Sequence, residues 1–107
     1  MELARSVYAR TEEFPKSETF GLRMQLRRAA VNVASHISEG HGRLTDAENR
    51  KSLSIARGSL NELQTELELA GSLGFINEDA TNELIELATE VAKLINGLLG
   101  VLEREPR

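Results

Sequence analysis

Apolar residues recur along this chain at steps of three and four, and proline, glycine and short polar residues cut the pattern into four helical segments. The first is predicted over about residues 2–13, with Leu3, Val7 and Tyr8 on one side and Arg5, Arg10 and Glu12 elsewhere; Pro15 stops it. Ser17 is placed to cap a second helix reaching about Glu39, whose apolar positions are Leu22, Leu26, Ala29, Ala30, Val33 and Ile37, with Gly40 and Gly42 ending it. Thr45 and Glu48 match a capping box. The third helix follows, with Asn49, Leu53, Ala56, Leu60, Leu63, Leu67 and Ala70 forming a bundle seam up to a stop at Gly74. Asn77 can cap a fourth, running to about Glu103, with Glu78 and Asp79 at the positive end of its dipole.

The fourth segment is apolar over more of its circumference than one seam needs. Leu84, Ala88, Val91, Ile95, Leu98 and Leu102 form one stripe, Leu87, Leu94 and Val101 a second, and Ile85, Ala92 and Leu99 a third. Such a helix must be buried on more than one side, which predicts self-association. The predicted interface residues are Leu87, Leu94, Val101, Ile85 and Leu99.

A chain of 107 residues fits a single domain, residues 1–107, with a small core. It has no cysteine, which rules out disulfides and thiolate metal sites. Its first ten residues lack the apolar run of a signal peptide, and no run has membrane-spanning length. The expected location is the cytoplasm. The formal net charge is −4, but residues 1–15 sum to −1, residues 16–57 to +4 and residues 58–107 to −7. A basic middle and an acidic end make the exposed face, more than the total, decisive for partners.

The stretch RRAAVNVASHISEGHGR, residues 27–43, holds the candidate chemistry. His36, Glu39 and His41 are competent metal ligands, but Gly40 turns the chain between them and neither histidine has a glutamate three residues before it, so no metal site or other cofactor is assigned. No nucleophile arrangement or phosphate-binding glycine loop is recognisable, so no catalytic residue is assigned and an enzyme is not expected. Arg23 and Arg27, four apart on one helix, and Arg43 in the following loop are candidate contacts to a nucleic-acid backbone. Arg28, Asn32 and Glu39 are expected to turn inward and form a paired polar layer with Glu62, because charge among small residues needs a partner.

The segments FPKSETFGLRMQLRRAAVNVASHISEGHGR and SLSIARGSLNELQTELELAGSLGFI resemble the four-helix-bundle family named after proteins encoded in intervening sequences of bacterial large-subunit ribosomal RNA genes. Matching pieces include Phe14-Pro15, Gly21-Leu22, Arg27-Arg28-Ala29-Ala30, Glu39-Gly40, Gly42-Arg43, Gly58-Ser59 and Asn61-Glu62-Leu63, and the likeness covers nearly the whole chain. The resemblance implies an up-and-down bundle assembled as a homopentamer. The family also includes accessory variability proteins of retroelements, which associate with nucleic acid and a reverse transcriptase. This chain departs from the pattern in having Ala34 where many members have proline, histidine at positions 36 and 41, and no tryptophan-containing turns before its first helix. It also lacks the strongly basic character of the retroelement proteins.

The resulting expectation is an all-α, antiparallel up-and-down four-helix bundle without enzymatic activity, acting as a homo-oligomeric scaffold. Its partners are copies of itself, with RNA or DNA on the basic face and a reverse transcriptase or other protein as further candidates; a membrane is not among them. The alternative is a protein-interaction scaffold with no nucleic-acid contact.

Overall fold

The computed structural model describes residues 1–42 and 45–104. They form four helices, α1 (Glu2–Thr11), α2 (Leu22–His41), α3 (Asp46–Ser72) and α4 (Glu78–Arg104), with a 3₁₀ turn at Lys16–Glu18. Short links make successive helices antiparallel neighbours. In α3 and α4, Gly71 faces Thr81 while Arg57 Nη1 donates to Asn96 Oδ1. The longest packing seam joins α2 to α3, α4 covers the other flank of α3, and α1 lies between α2 and α4. The all-α four-helix architecture is the expected one, drawn out to 50 × 23 × 18 Å.

Leu3 and Val7 of α1, Leu26 and Val33 of α2, Leu53, Leu60, Leu63 and Leu67 of α3, and Leu84 and Ile95 of α4 are buried almost completely. These are the residues at three- and four-residue spacing, so one stripe of each helix meets in a single core. Phe14 and Phe75 close one end, their ring centroids 5.5 Å apart in a tilted pair. Among the described residues no helix is long and apolar enough to cross a membrane.

The helix ends follow the expected capping chemistry with two corrections. Thr45 accepts the Glu48 N–H, and Asn77 Oδ1 accepts the Ala80 N–H at 2.8 Å. Gly74 has φ +78°, and the Phe75 N–H to Ala70 and Gly74 N–H to Gly71 bonds complete a Schellman stop. Ser17, however, does not cap α2. Pro15 leads into the 3₁₀ turn, and the Leu22 N–H is accepted by Glu18 Oε1 at 3.0 Å. A Cβ on Gly21 would lie 2.8 Å from that oxygen. Gly40 does not end α2 either; it is a buried residue inside the last turn, where a Cβ would meet Asn49 Oδ1 at 2.8 Å and Ser52 Cβ at 3.2 Å. That glycine lets α2 and α3 approach at their junction.

Candidate functional site

The arginines of the opening stretch are divided between structure and surface. Arg27 donates through Nε to Thr11 Oγ1 at 2.8 Å, and through Nη2 to Tyr8 O and Glu12 Oε1, both at 3.1 Å. Its guanidinium lies 4.6 Å from the Tyr8 ring centroid. The planar fork thus braces α2 against α1, leaving little of Arg27 for an external phosphate. Arg23 Nη2 stands 3.6 Å from the other oxygen of Glu12, while its Nε is buried without a hydrogen-bond partner among the described residues. Arg28 is exposed and has no carboxylate partner among the described residues; its Nη2 stands 4.0 Å from Met24 Sδ. Tyr8, Thr19, Arg23, Met24, Arg27 and Arg28 together line a cleft of about 400 Å³. Arg43 lies outside the described residues.

The inward polar layer is not formed. Arg28, Asn32, Glu39 and Glu62 are all exposed. Small alanines beside Arg28 face the core, whereas position 28 falls on the opposite side of the helix. The buried acid is instead Glu66, one turn beyond Glu62 and 7% exposed. Burial, and secondarily the charge of Glu62, raises its pKa from 4.5 to about 6. The signal was present in the sequence: Glu66 stands three residues after Leu63 and four before Ala70, within the core spacing.

The two histidines are not brought together. His36 lies in a cleft with Glu39, Glu48, Lys51 and Ser52, its Nδ1 3.6 Å from Glu39 Oε2. His41 lines a different cleft with Ile37, Asn49 and Leu98. Among the described residues no three histidine or acidic side chains cluster as metal ligands.

The apolar surplus of α4 also distributes differently from expectation. Leu99, predicted at an interface, is 3% exposed and belongs to the core. Ile85 and Leu87 pack partly against the core, as does Val91. Leu94, Leu98 and Val101 are 52%, 41% and 45% exposed. Among the described residues, α1 borders only part of α4. Arg10 meets Glu83 through a 2.8 Å ion pair, and α1 runs antiparallel to α4 from that point. With equal rise per residue, Glu2 at the start of α1 lies level with about Val91. The stripe containing Leu87 and Val91 is therefore covered, and its continuation is not.

The pieces shared with the intervening-sequence proteins are thus distributed over this bundle's α1–α2 link, α2 and α3, and the family's sequence profile matches residues 1–97. The chain belongs to the 23S rRNA-intervening sequence protein family. A solved structure similar to this bundle is a protein with unknown function from the S23 ribosomal protein family of Bacteroides thetaiotaomicron. The two share 22% identity over 92% of each chain, with a TM-score of 0.82, which supports the fold of this intervening-sequence protein. A search among curated proteins gives no match.

Proposed function

We propose that this intervening-sequence protein is a non-enzymatic, cytoplasmic scaffold that assembles with copies of itself, five chains being the number implied by the resemblance described above. The observation that carries this reading is the outer surface of the α2–α3 hairpin. Met24 and Val31 on α2, and Ile55 and Leu69 on α3, stand exposed on stripes turned away from the core. Arg28 and Glu62 interrupt those stripes, giving the surface both signs of charge. A long apolar surface with opposite charges suits contact between copies better than contact with water. Light scattering in dilute buffer should give one discrete assembly for the parent, and Ile55→Glu, Leu69→Glu should give helical monomers. A monomeric parent across micromolar concentrations overturns the reading.

A second reading, association with RNA or DNA, is favoured by the cleft holding Arg23 and Arg28. Arg23 and Arg28 both line this cleft, so a phosphate entering it would have two guanidinium groups as charge-assisted partners. Arg27 supports the cleft wall. Binding of labelled RNA and DNA should weaken steeply from about 50 to 200 mM salt and be lost in Arg23→Glu, Arg28→Glu. Equal binding by parent and variant leaves the protein scaffold without a nucleic-acid role for this cleft.

A further inference from the structure

Phe20 is 84% exposed, and among the described residues no other large apolar side chain is so open. It stands one residue after Thr19 and three before Arg23, both of which line the cleft of about 400 Å³ that also holds Tyr8, Arg27 and Arg28. We propose that the cleft and its rim bind one nucleotide unit of an unpaired strand, with its phosphate on Arg23 and Arg28 and its base stacked on Phe20. This inference rests on the nucleic-acid reading of the cleft and narrows it to single-stranded RNA or DNA.

The turn before α2 holds Phe20 in place. Lys16 O accepts the Thr19 N–H and Glu18 O accepts the Gly21 N–H, both at 3.2 Å, while Glu18 Oε1 takes the Leu22 N–H. With the backbone on either side hydrogen-bonded, less ordering is needed when the ring meets a base. A single exposed phenylalanine is ordinary on a protein surface; its place beside three guanidinium groups is what points to a ligand. The other aromatic of the cleft is already engaged, because Arg27 lies 4.6 Å from the centroid of the Tyr8 ring. Tyr8 and Arg27 therefore build the wall, and Phe20 supplies the free stacking surface.

Charge selects the phosphate. The carboxylate paired with the cleft's arginines among the described residues is Glu12, 3.1 Å from Arg27 and 3.6 Å from Arg23 Nη2. The longer separation exceeds a hydrogen bond, so the Arg23 fork can take a phosphate oxygen. Phosphate and base together then select an unpaired strand. In a duplex the bases stack on one another and the cleft would meet phosphate alone, whereas a flexible strand offers a free ring face as well. The rest of the surface also opposes a duplex, since residues 58–107 sum to −7 and would repel phosphates lying beyond the cleft.

Labelled oligouridylate and oligothymidylate of about sixteen nucleotides should bind the full chain at about 50 mM salt. A mixed-sequence duplex of the same length, and an abasic strand, should bind at least about fivefold more weakly. Phe20→Leu keeps an apolar side chain but removes the ring; it should weaken strand binding by a similar factor and leave duplex binding unchanged, while Phe20→Tyr should bind as the parent does. Uridine monophosphate should displace the strand only at far higher concentration. Equal binding of strand, duplex and abasic strand, with Phe20→Leu matching the parent, overturns the stacking site and leaves the phosphate contacts of the nucleic-acid reading standing. Binding of none of them overturns both. A mononucleotide as tight as the strand overturns the proposal in favour of a small-molecule site. So does a Phe20→Leu variant that changes the number of associated chains without changing strand affinity, which would assign the ring to contact between copies.

Discussion

Arg27 Nε and Thr11 Oγ1 are joined at 2.8 Å, and the same hydroxyl donates onward to Val7 O at 2.8 Å. Two hydrogen bonds in series tie α2 to the backbone of α1. Thr11→Val keeps the shape of the side chain but removes the acceptor, leaving a partly buried guanidinium N–H unpaired. The expected cost is about 1–3 kcal/mol. Arg27→Lys should be similarly harmful, since an ammonium cannot reproduce the fork that reaches Thr11, Tyr8 and Glu12. Urea denaturation measures both, and parental midpoints would remove the brace from the account.

Glu66 should make stability depend on pH in the direction opposite to that of a salt-bridged carboxylate. Its folded pKa of about 6 lies above the ordinary 4.5, so the folded chain holds this proton more tightly than the unfolded chain does. The resulting stability is fully present below pH 4.5 and is lost as pH rises through about 6, a difference of at most about 2 kcal/mol by pH 7. Glu66→Gln should therefore be more stable than the parent at pH 7.5, with the gap closing near pH 4.5. Parallel denaturation curves for the two proteins at both pH values would show that the buried carboxyl is not the cause.

Two glycines of the long helices should respond to alanine with opposite signs. At Gly71 an added Cβ would meet Thr81 Oγ1 at 2.8 Å and Thr81 Cγ2 at 2.9 Å, and a β-branched side chain cannot turn both atoms away. Overpacking of about 1–3 kcal/mol outweighs a helix-propensity gain of about 1 kcal/mol. Gly97 has nothing within 4 Å of the added atom, so there the propensity gain should appear alone. Thermal melts of Gly71→Ala, Gly97→Ala and Gly71→Ala, Thr81→Ala test the contrast; the double variant should recover what the first loses.

Leu94 and Leu99 discriminate surface from core on the same helix. Leu99→Glu introduces a charge at a site 3% exposed and should abolish cooperative folding, whereas Leu94→Glu at 52% exposure should leave the helical circular-dichroism signal and Tm nearly unchanged. Comparable loss in both would mean that the apolar stripe at Leu94 is covered in solution.

Spacing alone located the core at Leu26, Val33, Leu53, Leu60 and Leu84, because only one face of each helix meets its neighbours. It also located the stops at Thr45, Gly74 and Asn77, whose chemistry is local. It did not separate Leu99 from Leu94. Periodicity reports which face is apolar, while coverage depends on which neighbouring helix borders it, and among the described residues α1 borders only part of α4. The role of Arg27 was hidden for a related reason: its acceptors lie 15 to 19 residues away in sequence. Gly40 carried the signature of a helix stop, yet the close approach of Asn49 and Ser52 gives it a packing role that no local pattern encodes.

The brevity of α1 also bears on how the bundle opens. An isolated helix of 10 residues is below the length that is stable in water, so α1 keeps its helical form only while Leu3, Val7 and the Arg27 fork hold it in place. Detachment and melting of α1 are therefore one event, and they need not disturb the long α2–α3 seam. In native-state hydrogen exchange its amides should behave as a single cooperative unit with lower protection than those of α3, and the exchange rate should report the docking equilibrium of α1 before it reports global unfolding.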